Sequence, residues 1–491
     1  ESLGLRKKLM ERRPHSKIVE VEAHQKGPGW AVWQARHEID LARPVVVNYC
    51  DFSVLWDSRK LEEILTGGSY AACIPAYTGF HPHMAQSTNF AYLKVDGLQV
   101  VDIQEKQPWT ATPWREFASS GTYGFSTGAG LLGALEQQLH KSLSLDGEFY
   151  LSLTCKAMID AGQPVTVLPL EHFMQWGTPA DFEEYQRYSE GVARWLGPRA
   201  GQVEGSSELS RVVLAAGKGE RFSSAGYRTP KPGLRISGRS LLEHALVTFP
   251  GDETVIVTVP HSEIDILASD LSQTYNAGVV ELPKLSSGQA ASALAGLYAL
   301  RAEGPVTVTP CDGLAVVDPG YVSEVAQRLG PEGLAVWTAE PYGSMLRNPD
   351  QYGWVSTGQG DEVTSALLKK SPKEAGFKVI SGAFTFGSRA HAISTIEELI
   401  ASGERINGEF YLDSLVPRQL QKNLVCIGAD LPGFLSAGTP YEFEAVKYWQ
   451  SAFHKWALHP YSLKNDPMVM QRDVMSLSSG FLEASHTLVE S

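Results

Sequence analysis

Several things are scarce in this sequence, and each scarcity closes off a class of protein. No run of about 18 or more apolar residues occurs. The segment from Glu1 has neither the basic-then-apolar order of a secretory signal nor the acid-poor amphipathicity of a transit peptide. A soluble, cytoplasmic chain without membrane contact is therefore expected. Cysteines are few and scattered (Cys50, Cys73, Cys155, Cys311 and Cys426), an odd number without a CxxC pair, which excludes a disulfide framework and a zinc finger. Positive charge is also short, 42 Lys and Arg against 55 Asp and Glu, a net charge of −13. That balance argues against nucleic acid as a partner, so any anionic ligand must be met by a few placed cations. The initiating Met is missing too, and the sequence is expected to open part-way into a domain.

What is present is enough apolar sequence for more than one core: 491 residues, 43% of them hydrophobic, predict two or three globular domains. An internal repeat organises them. Cys50-Asp51 with Asp57 recurs as Cys311-Asp312 with Asp318, an offset of 261 (312 − 51). The same offset carries Ser120-Gly121 onto Ser381-Gly382, Gly147-Glu148-Phe149-Tyr150-Leu151 onto Gly408-Glu409-Phe410-Tyr411-Leu412, and Gly177-Thr178-Pro179 onto Gly438-Thr439-Pro440. So long a period indicates a duplicated domain rather than a solenoid. The expected limits are 1–190 for the first copy, 191–209 for a Gly/Pro/Ser-rich linker, 210–450 for the second copy, and 451–491 for a tail without an assignment. The first copy lacks a counterpart of Arg211 to His261, expected to lie upstream of Glu1. Runs such as Val45-Val46-Val47, Val255 to Val259 and Val306 to Val308 predict strands, and Ala290 to Arg301 a helix. Their alternation predicts an α/β fold: two tandem Rossmann-like domains, each a mostly parallel sheet covered by helices.

The chemistry gathers around one loop. Strand Val212-Val213-Leu214 runs into Ala215-Ala216-Gly217-Lys218-Gly219, followed by Arg221 and by Pro230-Lys231-Pro232. Small residues let backbone N–H groups approach phosphates, and Arg221 and Lys231 bring two cations, as a triphosphate requires. An ordinary tight strand-to-helix turn is the competing reading, but it does not need the cations. The dinucleotide fingerprint fails because Phe222 replaces its third glycine, and the Walker sequence is absent. Asp312 follows a predicted strand, where open α/β sheets place their ligands, although a capping aspartate would read the same way.

These residues, with Gly226-Tyr227 and the later Gly-Glu-Phe-Tyr and Gly-Thr-Pro repeats, resemble the sugar-phosphate nucleotidyltransferases. The resemblance covers about Arg211 to Trp449, and Glu1 to about Tyr188 in the first copy. It implies in-line attack of an acceptor phosphate on the α-phosphorus of a nucleoside triphosphate, with pyrophosphate leaving and Mg²⁺ as cofactor. By resemblance, Leu214, Ala215, Ala216, Gly217 and Gly219 bind the nucleotide, and Ser287-Gly288-Gln289 lies where the base is read. Arg221 would neutralise pyrophosphate, Lys231 would contact the reacting phosphates, and Asp312 would hold the metal with Asp51 as its counterpart. Glu105-Lys106 resembles the family's Glu-Lys pair, the lysine meeting the acceptor phosphate; Glu148 and Glu409 are candidate hydroxyl acceptors. The second copy offers Lys369-Lys370 without a glutamate. Gln175 and Ser436 stand where many members keep a second metal-binding aspartate, which weakens the metal site. Gly79-Phe80-His81-Pro82-His83 and Phe173 to Pro179 resemble members tied to capsule and surface-polysaccharide synthesis. His81 and His83 could hold a metal, pack in a core or face a substrate pocket.

The expected function is transfer of a nucleoside monophosphate to a phosphorylated small molecule, a sugar phosphate before others, with a homo-oligomer left open. The rival readings are a regulatory or scaffolding protein that binds nucleotide without turnover, and a glycosyltransferase. The latter is disfavoured because neither Asp312-Gly313-Leu314 nor Asp51-Phe52-Ser53 is Asp-x-Asp.

Overall fold

The computed structural model describes residues 4–85, 87–197, 209–284 and 286–479. The chain divides into two compact units, Glu1–Gln175 and Trp176–Ala484. No helix among the described residues is long and apolar enough to cross a membrane.

In the second unit a sheet is built outward in both directions from Ser210–Leu214. Glu253–Thr258 and Ala277–Glu281 follow in order on one side, and Val306–Pro310 lies on the other; these four strands are parallel. The sheet then turns mixed: Phe377–Phe386 runs antiparallel to both Val306–Pro310 and Leu334–Ala339, and Cys426–Asp430 closes the row parallel to Leu334–Ala339. The ladder Gly353–Thr357 with Val363–Leu368 extends from Phe377–Phe386. Ala290, Ala293 and Leu297 of helix Gln289–Ala299, with Ile396 and Leu399 of Arg389–Ser402, cover one face. Leu242, Ala245 and Leu246 of helix Leu241–Thr248, with Leu271, cover the other. Apolar side chains three and four apart give Gln289–Ala299 and Arg389–Ser402 one dry stripe each, every residue of Leu241–Thr248 is buried, and the buried β-branched strands need a cover on both faces.

The first unit has a seven-stranded sheet in which only Ala72–Tyr77 and Val165–Pro169 pair in parallel. The mostly parallel sheet expected here is thus corrected to a mixed, largely antiparallel one. The reason is local. Ala91–Asp96 turns back through Gly97 and Leu98 into Gln99–Glu105, and so short a hairpin can pair its strands only antiparallel. Val45–Asn48 likewise runs antiparallel to Thr122–Phe125, with Val45 opposite Phe125; in the second unit Val306 lies opposite Phe386. Helices Gly128–His140 and Leu151–Asp160 cover one face, while Leu61 and Leu65 of Ser58–Thr66 cover the other.

Helix Pro179–Arg194 is counted in the second unit and continues into the stretch expected to be linker; residues 198–208 of that stretch lie outside the described residues. It is held by side chains of its own unit. Glu184, 4% exposed, pairs with Arg347 at 2.9 Å, and Tyr188 stacks on Trp449. Part of the expected tail is also packed. Tyr461, Leu463 and Val469 are buried, and Asp466 accepts from Ser237 Oγ at 2.7 Å.

Candidate active site

The strand order of the second unit reverses between Ser210–Leu214 and Val306–Pro310. Loops leaving the C-terminal ends of two such strands diverge to opposite faces and open a crevice. The first strand delivers the Ala215–Gly219 loop, and the second delivers Cys311, Asp312 and Gly313. Leu214, Ala215 and Ala216 are buried, with Ala215 N donating to Val257 O at 2.8 Å, whereas Gly217 and Lys218 emerge into solvent. Gly219 turns the chain at φ 63°, a conformation costly for a side chain, and faces Lys231. Phe222 is buried against Tyr227 and Phe443, an aromatic anchor at the place where a dinucleotide loop would need glycine. Arg221 is exposed and has no ion pair among the described residues.

Lys231 and Asp312 form an ion pair, each side chain about a fifth to a quarter exposed (20% and 24%). Burial pulls the Lys231 ammonium down, but Asp312, Cys311 and Glu442 beside it outweigh burial and hold it above the ordinary lysine value. Asp312 also faces the closing motif. A methyl group placed on Gly438 would lie 3.2 Å from Asp312 Oδ2, 3.3 Å from Ser436 Oγ and 3.4 Å from Glu442 Oε2. Glu442 is engaged by Ser344, Tyr352 and Thr439, so its carboxylate is committed to holding the wall together. No group of three His, Cys, Asp or Glu side chains among the described residues could hold a metal. A single carboxylate, Asp312, already answered by Lys231, fits a Mg²⁺ that keeps waters and phosphates as its remaining ligands, not a protein-caged ion.

The Ser287-Gly288-Gln289 segment is tied to the Gly-Glu-Phe-Tyr turn. Phe410 N donates to Ser287 O at 3.0 Å, and Ala290 N to Phe410 O at 3.0 Å. Gly288 sits at φ 131°, and a side chain there would reach 2.5 Å from Phe410 N, so the contact requires glycine. The turn carries Glu409 and Tyr411. Lys369, at φ 51°, lies with its ammonium 5.1 Å from the centre of the Tyr411 ring. Burial and the nearby Arg221 draw Lys369 below its ordinary value, opposed by Asp413 and Glu409.

The first unit holds a cavity of about 170 Å³ lined by Asp51, Asn89, Glu105, Lys106, Tyr150 and Gln175, among others. Lys106 donates to Tyr150 Oη at 2.7 Å, and Tyr150 in turn donates to Glu148 at 2.7 Å. Glu105 accepts from Ser152 Oγ at 2.5 Å; burial raises its carboxyl, with Ser152 and Lys106 opposing. Asp51 is exposed at the mouth. The structure therefore brings Asp51, Glu105, Lys106 and Glu148 together. His81 and His83 are not among the residues lining this cavity: both are buried, with His83 Nε2 2.9 Å from Tyr77 Oη. Sequence reasoning missed Tyr150, Tyr411, Ser152 and Asp413. The tyrosines stood inside the repeated motif, and Ser152 and Asp413 lie two residues beyond them.

Comparison with known proteins meets this geometry at the loop. Residues 211–402 match the family of MobA-like NTP transferase domains. The matched segment contains the glycine loop, Arg221, Lys231, Asp312 and Lys369. A search of curated proteins returned no match. Among similar solved structures, the nucleoside-diphosphate-sugar pyrophosphorylase from Vibrio cholerae RC9 is 20% identical with a TM-score of 0.41, covering 48% of this chain and 98% of its own. The inositol-1-phosphate CTP transferase from T. maritima is 15% identical with a TM-score of 0.40, covering 50% of this chain and 98% of its own.

Proposed function

We propose that the protein transfers a nucleoside monophosphate from a nucleoside triphosphate to a phosphorylated small molecule, a sugar phosphate by resemblance, releasing pyrophosphate. The observation that carries this is the Lys231–Asp312 pair, held at the crevice where the strand order reverses and beside the glycine loop. An acceptor phosphate oxygen forms the new bond to the α-phosphorus as the bond to the bridging oxygen breaks, and the electron pair leaves with pyrophosphate. Such chemistry asks for alignment and charge neutralisation rather than a protein nucleophile.

In this reading Leu214 to Gly219 cradle the triphosphate, Arg221 meets the leaving pyrophosphate, and Lys231 contacts the reacting phosphates. Ser287, Gly288 and Gln289 border the base, and Glu409 accepts from acceptor hydroxyls. Asp312 would hold Mg²⁺, which when bound supplies further neutralisation at the phosphates. The two units descend from one duplicated domain, a reading supported by the shared register of Val45 with Phe125 and Val306 with Phe386. The cavity of the first unit, with Lys106, Glu105, Glu148 and Asp51, is a second acceptor-side site. The narrower role, activated sugar for surface polysaccharide, rests on the Gly79 to His83 and Phe173 to Pro179 phrases.

A second reading is binding without turnover, favoured by Ser436 and Gln175 standing where a second metal-binding carboxylate is expected. The test is mass spectrometry of reactions with each common nucleoside triphosphate, Mg²⁺ and a panel of sugar and amino-alcohol phosphates. A nucleoside-diphosphate product supports transfer. Nucleotide-induced thermal stabilisation with no product for any pair supports binding alone.

A further inference from the structure

Asp51 and Asp312 stand 261 residues apart and keep opposite company. Asp312 is answered by Lys231. Asp51 lines the cavity of the first unit, is exposed, and makes neither an ion pair nor a side-chain hydrogen bond among the described residues. The residues flanking it differ too: Tyr49 and Phe52 stand where the second unit has Pro310 and Gly313 (310 − 49 and 313 − 52). Both rings line the cavity and converge on Gly121, at φ 84°. A methyl group on Gly121 would come to 2.9 Å from the Tyr49 ring and 3.2 Å from the Phe52 ring. Phe52 lies 5.2 Å from Phe173, and Tyr49 6.1 Å from Tyr123, centre to centre. The first unit thus sets aromatic walls beside an unanswered carboxylate, where the second unit has a proline and a glycine.

The charge of the cavity points the same way. Its charged lining side chains are Asp51, Glu105 and Lys106, two carboxylates against one ammonium. Lys106 is shared further with Glu148 through the Tyr150 hydroxyl. A phosphate monoester carries a charge of about −1.5 to −2 at pH 7, so the phosphate of a neutral polyol adds negative charge to a site that is already negative. A ligand with a cation of its own removes that mismatch, and aromatic faces attract an alkylammonium. At about 170 Å³ the cavity is smaller than the roughly 300 Å³ at which pockets for drug-sized ligands begin, so it suits a ligand of few heavy atoms.

We infer that the first unit's cavity takes the phosphate monoester of a small amino alcohol, its phosphate at Lys106 and its ammonium at Asp51 and the rings of Tyr49 and Phe52. The phosphate end rests on the acceptor-side reading of this cavity. The ammonium end rests on the carboxylate, the two rings and the charge balance.

Calorimetric titration of the full chain, with a chelator present, compares phosphoethanolamine and phosphocholine with hydroxyethyl phosphate, which carries a hydroxyl in place of the ammonium. The amine esters should bind about tenfold more tightly or better. Asp51→Asn should bring that ratio to about twofold or less at an unchanged melting temperature, and Phe52→Leu should lower it about threefold. Lys106→Met should weaken all three esters alike. A ratio near one in the wild type, or a ratio untouched by Asp51→Asn, overturns the inference. So does a neutral ester that equals the amine esters once Mg²⁺ replaces the chelator, because the missing charge is then the metal's. Equal binding of the three esters, lost together in Lys106→Met, keeps the acceptor-side reading and overturns the amine assignment alone. No binding by any ester overturns both.

Discussion

The Lys231 ammonium is paired with the Asp312 carboxylate across the crevice although 81 residues separate them in sequence. If this pair serves the reacting phosphates, Lys231→Met and Asp312→Asn should each lower kcat/KM by about 100-fold or more. Because the two act on one another, the double variant should lose far less than the product of the single losses. Independent, additive losses in that cycle would show that the residues work at separate places.

The same pair fixes a pH behaviour. The Lys231 value is raised in the folded protein, so its contribution to stability is complete below the ordinary lysine value of about 10.4 and is lost as pH climbs through the higher folded value. The stability difference between wild type and Lys231→Met should therefore stay constant from neutral pH to about pH 9 and shrink only above the lysine range. Denaturant unfolding at stepped pH measures it.

The two glycines of the site should respond oppositely. Gly288→Ala meets the Phe410 backbone in a left-handed conformation and should cost about 2 kcal/mol or more, read by denaturant unfolding. Gly217 faces open space, so Gly217→Ala should leave stability within about 0.5 kcal/mol of wild type. Its effect should instead be seen as a higher KM for the triphosphate.

Burial pushes His81 down to about 3, and His83 also falls well below its ordinary value. The unfolded imidazoles take up protons near pH 6.5, while the folded ones resist until much lower pH. Stability from keeping them neutral is thus complete above about 6.5 and is lost as pH falls. The acid loss of stability should be shallower in His81→Gln/His83→Gln than in wild type, measured by thermal unfolding from pH 7 to about pH 4.

Glu184 is nearly fully buried where it meets Arg347. Glu184→Ala leaves that guanidinium without its carboxylate and should destabilise the second unit by about 3 kcal/mol, with Glu184→Ala/Arg347→Met recovering part of the loss.

Much of this site is written locally in the chain. The Val212 to Gly219 loop declares itself because a buried strand, small residues and nearby cations follow each other within a few positions, and Asp312 because it ends a β-branched run. The helix expected at Ala290 to Arg301 and the strands at Val45, Val255 and Val306 also form as their patterns predict. Two features escaped because they depend on distant partners. The sheet of the first unit was expected to be mostly parallel from strand and helix alternation alone. Its direction is set by which strands meet across it, such as Val45–Asn48 with Thr122–Phe125, and those partners lie far apart in sequence. The fate of His81 and His83 was equally hidden, because only tertiary packing sets Tyr77 against them.

The most direct test is pyrophosphate release with Mg²⁺ across the common nucleoside triphosphates and phosphorylated acceptors, for the wild type beside Asp312→Ala and Asp51→Ala. Release is expected with at least one pair, abolished by Asp312→Ala and retained in Asp51→Ala. Release that survives Asp312→Ala, or no release from any pair while nucleotide still binds, would contradict a transferase centred on Asp312.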